Sequence, residues 1–430
     1  MKTASQIKKS ISDNSLDSLL LDIYPDSGAL DYQKDRYIRA IDSFLKAYDR
    51  NEDTEISIFS APGRTEIGGN HTDHQNGKVL AAAITDDAIA VVTPLSDSKN
   101  VRVLSQGFDM ITIDITDIGK IQSEEGTTTA LIKGVLYRLK RLGYAIGSFD
   151  AYITSDVLQG SGLSSSAAFE NLIGTIISGL YNDMKITPQE IAATGQFSEN
   201  KYFGKPCGLM DQMASSMGSM CFINFRDPDD VITKSIDCDL STYGYSLCIT
   251  DTKGSHADLT PDYAAVPAEM KAVAAVFDAN LLCDVDEEVI MANIGKIRQK
   301  AGDRALLRAL HYYEENKRVD QEVKALSEGD MEGFLSAFRQ SAKSSFQYLQ
   351  NVYTPKDPSH QNTSVALMIS DMIIGDDGAA RIHGGGFAGT IQAIIKSEKV
   401  DEYRKKMDEV FGDGSCKIYS IRKYGGIKVI

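Results

Sequence analysis

Leu158-Gln-Gly-Ser-Gly-Leu-Ser-Ser-Ser-Ala-Ala168 is a run of small residues that ends where a helix begins. The helix is marked by Ala168, Phe169, Leu172, Ile173, Ile176, Ile177 and Leu180, which share one face at a 3.6-residue period. A Gly/Ser loop in that place offers unpaired N–H groups at the positive end of a helix dipole, which makes an anion site. Its serine hydroxyls can also ligate magnesium or a phosphate oxygen. The loop lacks the lysine of Gly-x-x-x-x-Gly-Lys-Ser/Thr and the third glycine of the dinucleotide fingerprint, so it is neither a Walker A loop nor a Rossmann turn. Read as structure alone, it is a helix start capped by Ser164 or Ser165.

Upstream, Ala61-Pro-Gly-Arg-Thr-Glu-Ile-Gly-Gly-Asn-His-Thr-Asp-His-Gln-Asn-Gly77 follows a strand and gathers Arg64, Asn70, His71, Asp73 and His74. Carboxylate, amide and imidazole groups on a glycine-rich turn can hydrogen-bond the several hydroxyls of a sugar. The same residues also fit a polar surface turn. Zinc on His71, Asp73 and His74 is a third reading, but the spacing lacks the i, i+4 geometry of a helical histidine pair. Downstream, Thr187, Pro188 and Glu190 form a capping box, and the helix they open runs to about Tyr202 with Glu199 in its last turns. Asp211 follows Pro206-Cys207-Gly208, at or just before another helix start. A third glycine segment, Arg381-Ile-His-Gly-Gly-Gly-Phe-Ala-Gly389, lets backbone approach a ligand or another loop closely.

Around these segments the chain reads as an ordinary globular protein. It has 430 residues, 42% of them hydrophobic and 24% charged, with a formal net charge of −15. That length predicts two domains. The acidic balance without a basic run argues against nucleic acid or an anionic membrane as partner. Six scattered cysteines with no Cys-x-x-Cys pair fit reduced thiols in a cytosolic protein. The first ten residues lack the apolar core of a signal peptide, and no run of 18 apolar residues occurs, so a cytoplasmic location is expected.

Residues 1–55 read as helical, with strands at Ile56–Phe59, Ala88–Thr93, Val101–Leu104, Met110–Ile115 and Ala151–Thr154. A helix is expected over Thr128–Leu142, and further strands at Ser246–Thr250, Thr390–Ile395 and Ile418–Ile421. The mixture is α+β or α/β, with a division near 220–235.

In order and together, these segments resemble the galactokinase family of the GHMP kinases. Residues 61–77 are similar to its signature Gly-Arg-Val-Asn-Leu-Ile-Gly-Glu-His-Thr-Asp-Tyr, and residues 160–168 to its Gly-x-Gly-Leu-Ser-Ser-Ser-Ala phosphate loop. Cys207-Gly-Leu-Met-Asp-Gln212 resembles its catalytic Cys-Gly-Ile-Met-Asp-Gln, and 384–389 its third motif. Asp251-Thr-Lys-Gly-Ser-His256 with Tyr263 fits its strand end and sugar-contacting tyrosine.

The resemblance implies an α+β, two-domain GHMP kinase fold, with mixed sheets, helices and an active-site cleft between the domains. The domains would be 1–225, with a helical extension over about 1–55, and 226–430. It implies an ATP-dependent sugar-1-kinase, a galactokinase that converts galactose and ATP to galactose 1-phosphate and ADP. Asp211 would be the catalytic base and Arg64 its partner. Asn70, His71, Asp73, Gly208 and Tyr263 would meet the sugar. Gly160, Gly162, Leu163, Ser164, Ser165, Ser166 and Ala167 would hold ATP, and Ser166 with Glu199 would hold Mg²⁺. Sugar and ATP are the expected partners; the oligomeric state stays open, and a monomer fits.

The departures fall in the sugar segment. Asn70 stands at the signature's Glu, His74 at its Tyr and Glu66 at its Asn, and the paired arginines expected after Tyr263 are absent. An amide at position 70 would offer N–H groups to a carboxylate or amide on C6. A 1-kinase for galacturonate, an N-acetylhexosamine or a pentose is therefore an alternative, as is a non-catalytic sensor of sugar and ATP. His311, His360 and His383 carry no expected role, and His383 reads as a hydrogen-bonded turn residue.

Overall fold

The computed structural model describes residues 1–157, 162–228, 230–254 and 259–430. Gly160, expected to hold ATP, and His256 lie outside them. In chain order the elements are β1 (Lys2–Thr3), α1 (Ala4–Ser12), α2 (Asp17–Ile23), α3 (Leu30–Ala47), β2 (Glu55–Gly68), β3 (Lys78–Leu95), β4 (Asn100–Ser105) and β5 (Ile111–Asp114). Next come α4 (Thr128–Arg141), β6 (Ser148–Ser155), α5 (Ser165–Tyr181), α6 (Pro188–Ser198), α7 (Met210–Met217), β7 (Met220–Asn224), β8 (Ile232–Ile236) and β9 (Tyr245–Asp251). Then follow α8 (Thr260–Ala275), α9 (Glu287–Ala292), α10 (Ile294–Lys300), α11 (Asp303–Glu328), α12 (Met331–Ser344) and α13 (Asn362–Ile374). The chain ends with β10 (Ala379–Ile382), β11 (Thr390–Lys396), α14 (Val400–Phe411), β12 (Cys416–Tyr419) and β13 (Ile427–Lys428).

These elements form two compact units. The first comprises Met1–Arg64, Ala83–Ser219 and Arg422–Ile430; the second comprises Thr65–Ala82 and Met220–Ile421. One crossing, after Ser219, lies beside the expected division. The others fall inside β2, inside β3 and before Arg422, so neither unit is one continuous half of the sequence.

In the first unit β1, β2, β3, β6, β4 and β5 lie side by side, with β13 also on β2. Successive residues of β3 serve opposite faces, as the two-residue period of a strand requires. Ala88, Ala90 and Val92 pack with Ile132, Leu136, Leu172 and Ile176 of α4 and α5. Ile89 and Val91 pack with Ile7, Tyr37, Ile41 and Phe44 of the N-terminal helices. Each such fully buried large side chain contributes about 1.5–3 kcal/mol, so the extension is part of the core. Asp87 ties it down: its carboxylate accepts from Arg36 at 2.6 Å, Tyr24 at 2.7 Å, Arg422 at 2.7 Å and the Ser60 hydroxyl.

In the second unit β10, β11, β9 and β12 form an antiparallel sheet, and β7 pairs β8 and the first residues of β3. Cys248, Ile391, Ala393, Tyr403 and Met407 pack between that sheet and α13 and α14. The helix α11 buries an apolar stripe with Ala305 and Ala309 and, along another, His311, Glu315, Arg318 and Glu322.

The strands exceed their expected limits in one telling place. The stretch from Pro62 reads as a glycine-rich loop, yet β2 stays extended to Gly68. The reason is that Glu66 inside it is buried against Arg381 at 2.6 Å, while its carbonyl accepts from Gln392 at 2.5 Å. Paired in this way, a polar residue can occupy a buried strand. Among the described residues no helix is long and apolar enough to cross a membrane.

Candidate active site

The first unit brings Asp211 and Arg64 together. Asp211 lies in the first turn of α7, where the helix dipole favours a carboxylate. Arg64 ends the first unit's part of β2 and grips it in a bidentate pair, Nε to Oδ1 at 2.8 Å and Nη2 to Oδ2 at 2.7 Å. Burial would push the Asp211 carboxyl up. The Arg64 guanidinium and the Ser164 hydroxyl outweigh it and hold the group below the usual aspartate range. The Asp211 side chain keeps about 30% of its surface open, enough for an acceptor to reach it.

Arg64 also fixes the described end of the glycine loop. Its Nη1 donates to Gly162 O at 2.5 Å and its backbone N–H to Leu163 O at 3.1 Å. A side chain at Gly63 would stand 3.1 Å from Leu163 O and 3.2 Å from Val157, so the two segments meet closely there. Ser164 precedes α5 with φ of +59°, a left-handed conformation uncommon outside glycine. Its side chain makes no cap; the hydroxyl serves Asp211 instead. The reading of Ser164 as an ordinary cap is thereby corrected: its side chain leaves the first N–H groups of α5 uncapped. Leu163 and Ala167 are buried, while Ser165 and Ser166 are half-buried.

The Ser166 hydroxyl lies 3.3 Å from Glu199 Oε1. Glu199 starts a single π-helical turn, Glu199–Phe203, a feature that often marks functional positions. Lys205 Nζ sits 3.1 Å from the same oxygen. Hydroxyl and carboxylate oxygens side by side are the hard donors magnesium takes, and one or two protein ligands suffice when phosphates supply others. Among the described residues no group of three or more His, Cys, Asp or Glu is arranged to hold a metal, and that includes His71, Asp73 and His74. Gly208 is half-buried in the irregular stretch 204–209, where Asn200 Oδ1 accepts from Cys207 N at 2.7 Å.

The second unit arranges three of the expected sugar residues in a row. Asn70 Nδ2 donates to Gly384 O at 2.8 Å, His71 Nε2 to Gly385 O at 3.0 Å and Tyr263 Oη to Gly386 O at 2.8 Å. Three consecutive glycine carbonyls thus position these three side chains, and that of Gly385 also accepts from Asn351 Nδ2 at 3.3 Å. At Gly386, with φ of +83°, an added Cβ would lie 2.1 Å from Asn351 O, so no other residue fits. No signal in the sequence points to this row, because carbonyls belong to every residue.

Within it the expectation for Asn70 is corrected. Asn70 is buried, its second amide hydrogen goes to Glu66 Oε1 at 2.9 Å, and its Oδ1 accepts from Asn351 at 2.8 Å. Its backbone N–H goes to Glu315 at 3.3 Å and its carbonyl accepts from His311 at 2.9 Å. No N–H of Asn70 is left to offer a C6 carboxylate. His71 differs. Burial pushes its imidazole down to about 3, and with the proton on Nε2 its Nδ1 is an acceptor with no partner among the described residues. Asp73 lies in a short 3₁₀ turn beside it, with Oδ1 accepting from His74 N at 2.9 Å. His383 bridges Thr390 and Thr65 at 2.9 and 3.0 Å, the hydrogen-bonded residue its position suggests.

Comparison with known proteins bears on the family and the fold. The model of the GHMP kinases N terminal domain matches residues 130–219, and that of the galactokinase galactose-binding signature matches residues 42–94. A galactokinase of Glaesserella parasuis is 32% identical over 360 residues, 83% of this chain and 89% of its own. A galactokinase of Streptomyces coelicolor is 27% identical over 84% of this chain and 90% of its own. In fold, the chain resembles Lactococcus lactis galactokinase complexed with galactose, with a TM-score of 0.75 at 24% identity over 90% of this chain and 98% of that one. A mevalonate kinase structure aligns with a TM-score of 0.59 at 16% identity, covering 85% and 98%.

Proposed function

We propose that this chain, which belongs to the galactokinase family of the GHMP kinases and is a phosphotransferase with an alcohol group as acceptor, moves the γ-phosphoryl group of ATP to the anomeric hydroxyl of galactose. The products are galactose 1-phosphate and ADP. The observation that carries the reading is the bidentate Arg64–Asp211 pair, whose arginine also holds the end of the Gly/Ser loop. Asp211 accepts the proton of the sugar hydroxyl as that oxygen bonds to phosphorus and the bond to the ADP oxygen breaks. The proton then leaves to solvent. A carboxyl held low is ionised at neutral pH but is a weak base, so Asp211 orients the hydroxyl early and takes the proton late, as a loose phosphoryl-transfer transition state allows. Arg64 balances the charge on the transferring group.

The first N–H groups of α5, which Ser164 does not cap, serve the phosphates with Gly162, Ser164, Ser165 and Ser166. Ser166 and Glu199 would hold Mg²⁺, which when bound neutralises phosphate charge. On the sugar side, His71 Nδ1, Asp73 and Tyr263 of the second unit are the proposed contacts, as is Gly208 of the first; Asn70 bonds the same glycine segment that holds His71 and Tyr263. Because Asn70 lacks a free donor, nothing at that position favours a uronate over galactose.

The test is a panel of free sugars with ATP, read as ADP release, with phosphorus NMR of the product. Turnover of galactose to a 1-phosphate is expected. A 6-phosphate, or no turnover of any hexose, refutes the reading.

A further inference from the structure

Behind Glu199, in the same unit, lies a connection that neither the loop nor the catalytic pair explains. Gln212, fully buried, donates one side-chain hydrogen to Glu199 Oε2 at 2.9 Å and the other to Glu170 Oε2 at 3.0 Å. Glu170 is itself 1% exposed, and its Oε1 has no partner among the described residues. Burying such a carboxyl is costly unless it is hydrogen-bonded, and its other oxygen takes the Gln212 amide. Helix α5 fixes Gln212 at both ends, since Asn171 Nδ2 also donates to the Gln212 carbonyl at 2.8 Å. Room for the arrangement comes from Gly195 of α6. A Cβ there would lie 3.0 Å from Glu170 Oε2 and 3.1 Å from Gln212 Cγ.

The placement along the helices is equally specific. Ser166 and Glu170 are four residues apart on α5 and share a face. Gln212 follows Asp211 directly on α7. With Oε2 of Glu199 taken by Gln212, the other oxygen is the one turned to the Ser166 hydroxyl at 3.3 Å. We propose that Gln212, itself oriented by Glu170, is the positioning residue that holds the Glu199 carboxylate with one oxygen presented beside Ser166 for the magnesium of the nucleotide. This rests on the reading of Ser166 and Glu199 as the magnesium ligands. It adds that the residue holding the metal carboxylate follows the catalytic aspartate directly on α7, so one helix places both.

The experiment is a titration of a fluorescent ATP analogue with Mg²⁺ on the full chain, without sugar, so that binding and not turnover is read. Gln212→Met keeps the length and removes the amide; Glu170→Met removes the acceptor that orients it; Glu170→Gln keeps an acceptor oxygen. Loss of such a partner behind a metal ligand costs roughly 10–100-fold in metal affinity. Gln212→Met and Glu170→Met should therefore need that much more Mg²⁺ for the same nucleotide binding, with affinity in chelator unchanged, whereas Glu170→Gln titrates like wild type. If Gln212→Met fails to fold, the Glu170→Met and Glu170→Gln pair decides the matter alone. Equal Mg²⁺ dependence in wild type and both methionine variants overturns the proposal. A wild type whose nucleotide binding ignores Mg²⁺ overturns instead the magnesium reading beneath it.

Discussion

Replacing Asn70 with glutamate tests whether its amide is committed inside the protein. In wild type the two hydrogens on Nδ2 serve Glu66 at 2.9 Å and the Gly384 carbonyl at 2.8 Å. Losing them costs about 1.5–3 kcal/mol for the bond to a charged partner and about 1 kcal/mol for the neutral one. The new carboxylate would also face that of Glu66, whose charge is held by Arg381 at 2.6 Å. Two unit charges about 3 Å apart repel by about 5 kcal/mol at an effective dielectric of 20. The repulsion has a ceiling, because the new carboxyl can take a proton and then donate to Glu66. From an unfolded-state value of about 4.3, that proton costs about 3.7 kcal/mol at pH 7 and about 1 kcal/mol at pH 5.

The sign follows from linkage. The folded variant binds a proton that the unfolded chain lacks near neutral pH, so its stability relative to wild type rises as pH falls toward 4.3. Asn70→Glu should thus be destabilised by about 4 kcal/mol at pH 7 and by about 2.7 kcal/mol less at pH 5. Urea unfolding followed by circular dichroism at the two pH values measures both numbers. In a Glu66→Gln background, where an amide again faces a carboxylate, the added cost should shrink by at least about 1 kcal/mol. Equal destabilisation at pH 5 and pH 7, or none at either, would refute the commitment of Asn70 to Glu66.

Three further outcomes are expected. Asp211→Asn should lower kcat by about 10² or more while sugar binding, measured by calorimetry, survives; near-normal turnover would remove Asp211 from the chemistry. His71 is held near 3 by burial and sits at about 6.5 when unfolded, so the unfolded chain takes up its proton first. Stability should fall by about 1.4 kcal/mol per pH unit as pH drops below 6.5, levelling near 3, and His71→Asn should lose that slope in urea titrations across pH 7.5 to 4.5. Asp87→Asn leaves the buried Arg36 and Arg422 without their shared carboxylate and should cost about 3–5 kcal/mol, with hydrogen exchange in α3 rising; unchanged protection there would show that the N-terminal helices are held by packing alone.

How much of this the sequence carried depends on where each signal resides. Thr187, Pro188 and Glu190 open α6 as a capping box, because a cap is chemistry local to four residues. The apolar face of α5 and the strands β6, β9 and β11 were equally legible, since burial selects the letters. The polar stripe His311, Glu315, Arg318 and Glu322 runs the other way: residues of these types are mostly exposed in proteins, yet all four side chains are buried. Only the partners, Arg381, Ser341 and Asn70, turn that stripe inward, and none is near it in sequence.

The candidate site divides along the same line. Asp211 and Arg64 stand out because carboxylate and guanidinium have a narrow range of uses and their motifs say which. Asn70 misleads for the opposite reason. Its letter reports two N–H donors and an acceptor, which suit a C6 carboxylate, but says nothing of Glu66, Gly384 and Asn351 already holding them. A buried amide is satisfied by its surroundings before any ligand arrives, since an unpaired donor in that place would cost about 1–3 kcal/mol. The side chain that can still change partners is the one with an atom left over. Among the described residues one such atom is Nδ1 of His71, a residue whose other nitrogen is fixed by a glycine carbonyl. Recognition at this site is therefore read from unspent hydrogen-bonding capacity, and that quantity exists only once the fold has assigned the rest.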